Sequence, residues 1–143
     1  MAGMDDLKNV VREPNVVELK PWTSIHEEIQ EPMVTGLGTV DIPESVLEAG
    51  FAHITEPDNI SGPTHEHPFD QYIFLIGTSD NFVDFDADVE FTLDNEVRKI
   101  NYPFYAFIPA GTPHCPLIVK RLGKPLIFID ARLTEAASVR PKK

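Results

Sequence analysis

From Phe51 onward, apolar residues come in short runs divided by turn-forming residues. The runs are Phe51–Thr55, Gln71–Ile76, Val83–Leu93, Val97–Ile100, Phe104–Pro109, Leu117–Lys120 and Leu126–Leu133. Between them stand Pro57-Asp58-Asn59, Gly77-Thr78-Ser79-Asp80, Asp94-Asn95, Pro109-Ala110-Gly111 and Gly123-Lys124-Pro125. Short runs at this spacing predict an all-β sandwich or barrel. The clearest is 83–93, where Val83, Phe85, Ala87, Val89, Phe91 and Leu93 alternate with Asp84, Asp86, Asp88, Glu90 and Thr92. A period of two lays one face on a core and the other in water. Asp94-Asn95 predicts a tight hairpin turn into Val97–Ile100. One short helical turn is expected from Asp41-Ile42-Pro43-Glu44, with Asp41 as N-cap and Gly50 as its stop.

The ends differ from this middle. Residues 1–34 are polar, carry Pro14, Pro21 and Pro32, and read as an N-terminal arm with a short extended piece near Val16–Leu19. Residues 35–133 read as one β domain, the barrel of the resemblance drawn below, and 134–143 as a C-terminal tail. A chain of 143 residues fits a single domain. Its 13 prolines suit turns and strand ends better than helices.

Charge narrows the partners. Twelve basic against 23 acidic residues give −11, which argues against nucleic acid and against a lipid surface, since both need a positive face. With no apolar leader and no run of about 18 apolar residues, no membrane association and a cytoplasmic location are expected. The single cysteine, Cys115, excludes an intrachain disulfide and a Cys-based zinc knuckle. Asp84-x-Asp86-x-Asp88 has the opening of a calcium loop, but Val89 and Asn95 stand where that loop needs Gly and Glu. These acids read instead as the solvated face of a strand.

The chemistry lies in the histidines, which are His26, His53, His65, His67 and His114. Neutral imidazole is a common metal ligand. In His65-Glu66-His67, residues two apart share a face if the segment is a strand, so both rings can meet one ion. The same parity reaches Phe69 and Gln71 and leaves Asp70 on the other side. Gln71 has three roles open to it: ligand, hydrogen-bond support behind a ligand, or polar core residue. His114 follows the turn Pro109-Ala110-Gly111-Thr112-Pro113. Cys115, its neighbour, is expected to point away as a packed thiol. His53 is either a structural strand residue or a pocket or supporting residue, Phe69 either pocket lining or plain core, and His26 is solvated. No residue is singled out as catalytic.

Gly62-Pro63-Thr64-His65-Glu66-His67-Pro68-Phe69-Asp70-Gln71 followed by Gly77 resembles the first motif of the cupin superfamily, and Pro109-x-Gly111-x-x-His114 resembles the second. The resemblance implies a double-stranded β-helix, the cupin or jelly-roll barrel, with one divalent transition metal per chain (Fe, Mn, Zn, Ni or Co). His65, His67 and His114 would be its ligands. It also implies a homodimer, the arm crossing onto a partner strand. The chain departs from the family where Gln71 replaces the usual glutamate ligand. Three imidazoles and an amide leave a divalent ion its full charge, which suits an anionic or enolizable small-molecule ligand. Two functions follow. One is a metal-dependent enzyme with dioxygenase or isomerase/lyase-type chemistry; the other is a non-catalytic protein that binds or senses a small ligand.

Overall fold

The computed structural model describes residues 8–22 and 33–134. His26 and the tail from residue 135 lie outside them. A ribbon of β1 (Val10–Glu13) and β2 (Val16–Glu18) precedes β3 (Pro21–Trp22), β4 (Met33–Leu37), β5 (Leu47–Ile54) and β6 (Asp58–Asn59). There follow β7 (Gln71–Gly77), β8 (Ala87–Leu93), β9 (Glu96–Ile100), β10 (Phe104–Ile108), β11 (His114–Leu122) and β12 (Leu126–Leu133). Two antiparallel sheets face each other, one ordered β10-β7-β12-β5-β4-β3 and the other β6-β11-β8-β9. Between them Ile54, Leu75, Phe91, Leu117, Leu126 and Phe128 form the core. This is the all-β jelly-roll architecture expected from the alternation of runs and turns.

Part of the arm is built into this body. β3 pairs with β4 at the edge of the larger sheet. Asn9 is buried; its backbone N–H donates to Asp41 Oδ1 at 2.7 Å and its side-chain amide to Asp41 Oδ2 and the Thr35 carbonyl.

Two local expectations are corrected. The helical turn is a 3-10 turn at Gly38–Val40, with Asp41 after it rather than before it. The Asp41 carboxylate accepts the N–H groups of Leu37 and Asn9, so it is committed backwards and cannot cap a forward helix. Gly50 stops nothing. It lies inside β5, where an added Cβ would sit 2.5 Å from the Met33 methyl. The long strand 83–93 is also shorter, beginning at Ala87. Asp84 pairs with Lys124, and Asp86 and Asp88 pair with Arg121. These pairs hold the preceding segment against the β11–β12 turn, and Val83 stands 71% exposed. The hairpin at Asp94-Asn95 is present, with φ of 51° and 66°, the positive pair that a two-residue turn between twisted strands requires.

Candidate metal centre

The histidines converge by a route other than strand parity. His65 and His67 lie in the segment between β6 and β7, outside any strand. His65 instead forms a single two-bond bridge with His114: its N–H donates to the His114 carbonyl at 3.0 Å, and its carbonyl accepts the His114 N–H at 2.9 Å. His67 is held by its carbonyl, which accepts the Gly111 N–H at 2.8 Å. Gly111 has φ +79°, a conformation that glycine takes without Cβ strain. The turn before β11 thus fixes both ends of the His65-x-His67 pair.

Three rings meet there. Their centroids lie 4.8 Å apart for His65–His67, 4.5 Å for His65–His114 and 5.2 Å for His67–His114. Nδ1 of His65 lies 2.7 Å from the Pro63 carbonyl, and Nδ1 of His114 lies 2.9 Å from that of Thr112. A neutral ring so placed donates Nδ1–H to the carbonyl and keeps its Nε2 lone pair for another partner. Burial, and then the positive Arg132, hold the His67 imidazole down at about 4; burial also lowers His114. Both rings are therefore neutral donors near neutral pH.

Gln71 opens β7 on its buried face. Its amide N–H donates to Asp130 Oδ1 at 2.7 Å, which fixes which end of the amide remains available. Asp130 is ion-paired to Arg132, whose other guanidinium nitrogen lies 3.8 Å from Glu48. Arg132 also sits 5.6 Å above the Phe69 ring, and Phe69 stacks on His67 at 4.9 Å between centroids. Phe69 therefore packs directly against the cluster.

Among the described residues, His67 Nε2, His114 Nε2 and Gln71 Oε1 are buried without a hydrogen-bond partner. A buried acceptor left unmade costs about 1–3 kcal/mol. Gathering several lone pairs in one place, with His114 and Gln71 held from behind by hydrogen bonds, fits a divalent transition metal.

Other predicted residues lie differently. His53 is exposed on the outer face of the larger sheet, beside Val34, Phe51 and Ile127. It lies outside the histidine cluster, because β5 turns Ala52 and Ile54 into the core and so turns His53 out. Asp70 accepts the Ala110 N–H and is outside the cluster. Cys115 is corrected in the opposite sense: it lines the cavity, its Sγ and the nitrogens of His65 and His114 all lying within 4.8 Å of one another. A break in the β11–β8 register between His114 and Leu117, with Cys115 at φ +83°, lets consecutive residues both turn inward.

Asp130, Arg132 and Glu48 are buried functional neighbours that the motif reading misses. The signal was present in the run 126–133. Leu126 and Phe128 set a core parity that Asp130 and Arg132 share.

No family model matches this chain, and no curated protein does. Solved structures do. The polyketide cyclase RemF from Streptomyces resistomycificus aligns with 88% of this chain and 81% of its own at TM-score 0.52 and 17% identity. An RmlC-like cupin from Shewanella frigidimarina aligns over 78% and 84% at TM-score 0.46 and 14% identity. A cupin protein from Bacteroides fragilis aligns over 85% and 93% at 0.47 and 13%. No helix among the described residues is long and apolar enough to cross a membrane. With two facing antiparallel sheets and both histidine motifs in order at one site, the chain has a jelly-roll fold similar to that of RemF.

Proposed function

We propose that the chain is a metal-dependent enzyme acting on a small anionic or enolizable oxygen-bearing metabolite, through dioxygenase or isomerase/lyase-type chemistry. His65, His67, His114 and Gln71 hold one divalent transition metal. The observation that carries this reading is the meeting of three unpartnered buried acceptors, His67 Nε2, His114 Nε2 and Gln71 Oε1, around His65. A divalent ion with these uncharged donors supplies Lewis acidity, and with iron also redox chemistry. The chain's own residues do the positioning. Asp130 turns the amide oxygen of Gln71 toward the site, and the Pro63 and Thr112 carbonyls set the imidazole tautomers. Phe69 packs against His67 and limits water on that side.

The Asp130 carboxylate stands behind Gln71 rather than in its place and is committed to orienting the amide and to Arg132. A proton shuttle by a ligand carboxylate is therefore not part of this reading.

One observation favours the second reading, a non-catalytic protein that binds or senses a small ligand. The partly open cavity whose lining includes His65, Gln71, His114, Cys115 and Asp130 is about 20 Å³, room for one ion or water rather than a metabolite.

Elemental analysis of protein purified without added metal tests the site. The expected result is about one transition-metal ion per chain, lost in His65→Ala/His114→Ala and kept in Cys115→Ser. Metal retained in the double variant would place the site elsewhere, and loss in Cys115→Ser would replace the amide by the thiolate. If iron is found, oxygen uptake with catechols and 1,3-dicarbonyls separates enzyme from binder.

A further inference from the structure

Glu48, Asp130 and Arg132 are buried, at 2%, 8% and 6% exposure. Among the described residues buried to that degree, the one other charged side chain is Asp41, which is committed to Asn9 and Leu37 at the arm. Arg132 is therefore the one deeply buried cation among the described residues, and it serves two carboxylates. One guanidinium nitrogen is ion-paired to Asp130, and another lies 3.8 Å from Glu48. Two negative charges on one positive charge leave −1. Asp130 alone would balance Arg132, and the Phe69 ring already covers a face of the guanidinium. The second acid is a surplus, and a surplus charge held out of water is costly unless something opposite offsets it.

The surplus stands beside the histidine cluster. Asp130 lies on the wall between two small cavities. One is lined also by His65, Gln71, His114 and Cys115, the other by Thr35, Glu48 and Arg132. Its Oδ1 accepts the Gln71 amide N–H at 2.7 Å, and its Oδ2 accepts from Arg132. The register fixes this order. Asp130 and Arg132 share the inner face of β12, and Arg132 stands opposite Glu48 on β5 and opposite Gln71 on β7. A cluster of net charge −1 thus adjoins four donors, three imidazoles and an amide, that carry no charge of their own.

We propose that the Glu48–Arg132–Asp130 triad supplies, from behind the ligands, the negative charge that the donor set lacks, with Glu48 as the residue that makes the triad anionic. This rests on the reading of His65, His67, His114 and Gln71 as metal ligands.

Electrostatics explains why the charge can sit there. A carboxylate among the ligands would offset one charge of the ion by occupying a coordination position. The same charge one hydrogen bond further back leaves that position to a neutral donor and still attracts the ion. Coulomb attraction falls only with the first power of distance, and buried charges are little screened by salt. Glu48 and Arg132 act through Asp130 and are positioning residues with opposite signs. Neutralising Glu48 takes the triad to 0, and removing the Arg132 charge takes it to −2. A merely structural pair would weaken the site whichever partner was lost, and losing both would weaken it most.

The test titrates Co(II) into the full metal-free chain against a competing chelator, at one pH near neutrality. Glu48→Gln keeps the size of the side chain and makes the triad neutral. It should weaken Co(II) binding about tenfold, with the d–d absorption bands of the bound ion unmoved. Two double variants return the sum to −1 and should each recover most of that loss. Glu48→Gln/Arg132→Gln removes the cation. Glu48→Gln/Thr35→Asp moves the acid to Thr35, which lines the same cavity and whose Oγ1 is buried without a hydrogen-bond partner. Circular dichroism of the metal-free proteins checks that each variant folds, and the single variant decides where a double does not. Unchanged affinity in Glu48→Gln would overturn the proposal, as would folded double variants that bind no tighter than it. Shifted d–d bands in Glu48→Gln would overturn it too, because the residue would then shape the ligand set rather than its charge. A native chain that takes up no Co(II) would overturn the metal reading itself and this proposal with it, whereas native binding that the variants leave untouched overturns this proposal alone.

Discussion

Gln71 is held between two demands. Its amide N–H must donate to Asp130, and its oxygen must face the histidines. Glutamate fails the first while Asp130 remains, because it places two carboxylates at the 2.7 Å now occupied by a hydrogen bond. Like charges that close cannot both ionise, and one takes a proton. Charge arithmetic alone makes Gln71→Glu a better metal ligand, but the Asp130 contact reverses the expectation for the metal-free protein. Gln71→Glu should lose about 2 kcal/mol in urea unfolding under chelator. Asp130→Asn added to it restores a donor facing an acceptor and should recover much of that loss. A double variant no more stable than Gln71→Glu would mean that Asp130 does not orient the amide. The single residue thus explains why a carboxylate absent from the family's ligand position is not absent from the site.

At the level of elements, Gly77 and Gly111, two of the glycines of the histidine motifs, do different work. At Gly77, which ends β7, an added Cβ would lie 2.2 Å from the Asp84 carbonyl, a backbone atom that cannot swing aside. Gly111 has no neighbour within 4 Å of such a Cβ, and only its positive φ opposes a side chain. Gly77→Ala should therefore destabilise by about 2 kcal/mol or more, and Gly111→Ala by about 1 kcal/mol. Equal losses in denaturant titration would contradict the close approach of Asp84. Such elements also mark what the sequence makes legible. The period of two and the Asp94-Asn95 turn expose the strands, and the spacing of histidines exposes the site. Strand parity accounts for His53 facing away once β5 is known to run from Leu47 through Ile54. It fails at His65 and His67, which converge through a bridge to His114, and at Cys115, where a break in register turns two neighbours inward. Asp130 and Arg132 were readable from the parity of β12. Their pairing with Gln71 was not, because it joins residues 59 positions apart across the sheet.

For the whole molecule, acid acts on two opposing terms. Protonating surface carboxylates relieves the repulsion of a chain at −11, which by itself favours the compact state. The histidine cluster works the other way. His67 titrates at about 4 in the folded chain and at 6.5 without its surroundings, and His114 is shifted in the same direction. Between those values the unfolded chain binds more protons than the folded one, so stability is full above 6.5 and falls as the pH drops toward 4. Under chelator, the unfolding free energy should decrease over that window, and His67→Gln should flatten the decrease because it removes one group that charges only on unfolding. A transition metal bound to neutral imidazoles adds to the folded state and not to the unfolded one, so it should steepen the same acid loss. If the metal-free protein instead gained stability on acidification, and His67→Gln removed the gain, His67 would be a charged partner of Asp130 in the fold. The three rings would then be a cationic cluster rather than a set of lone pairs awaiting an ion.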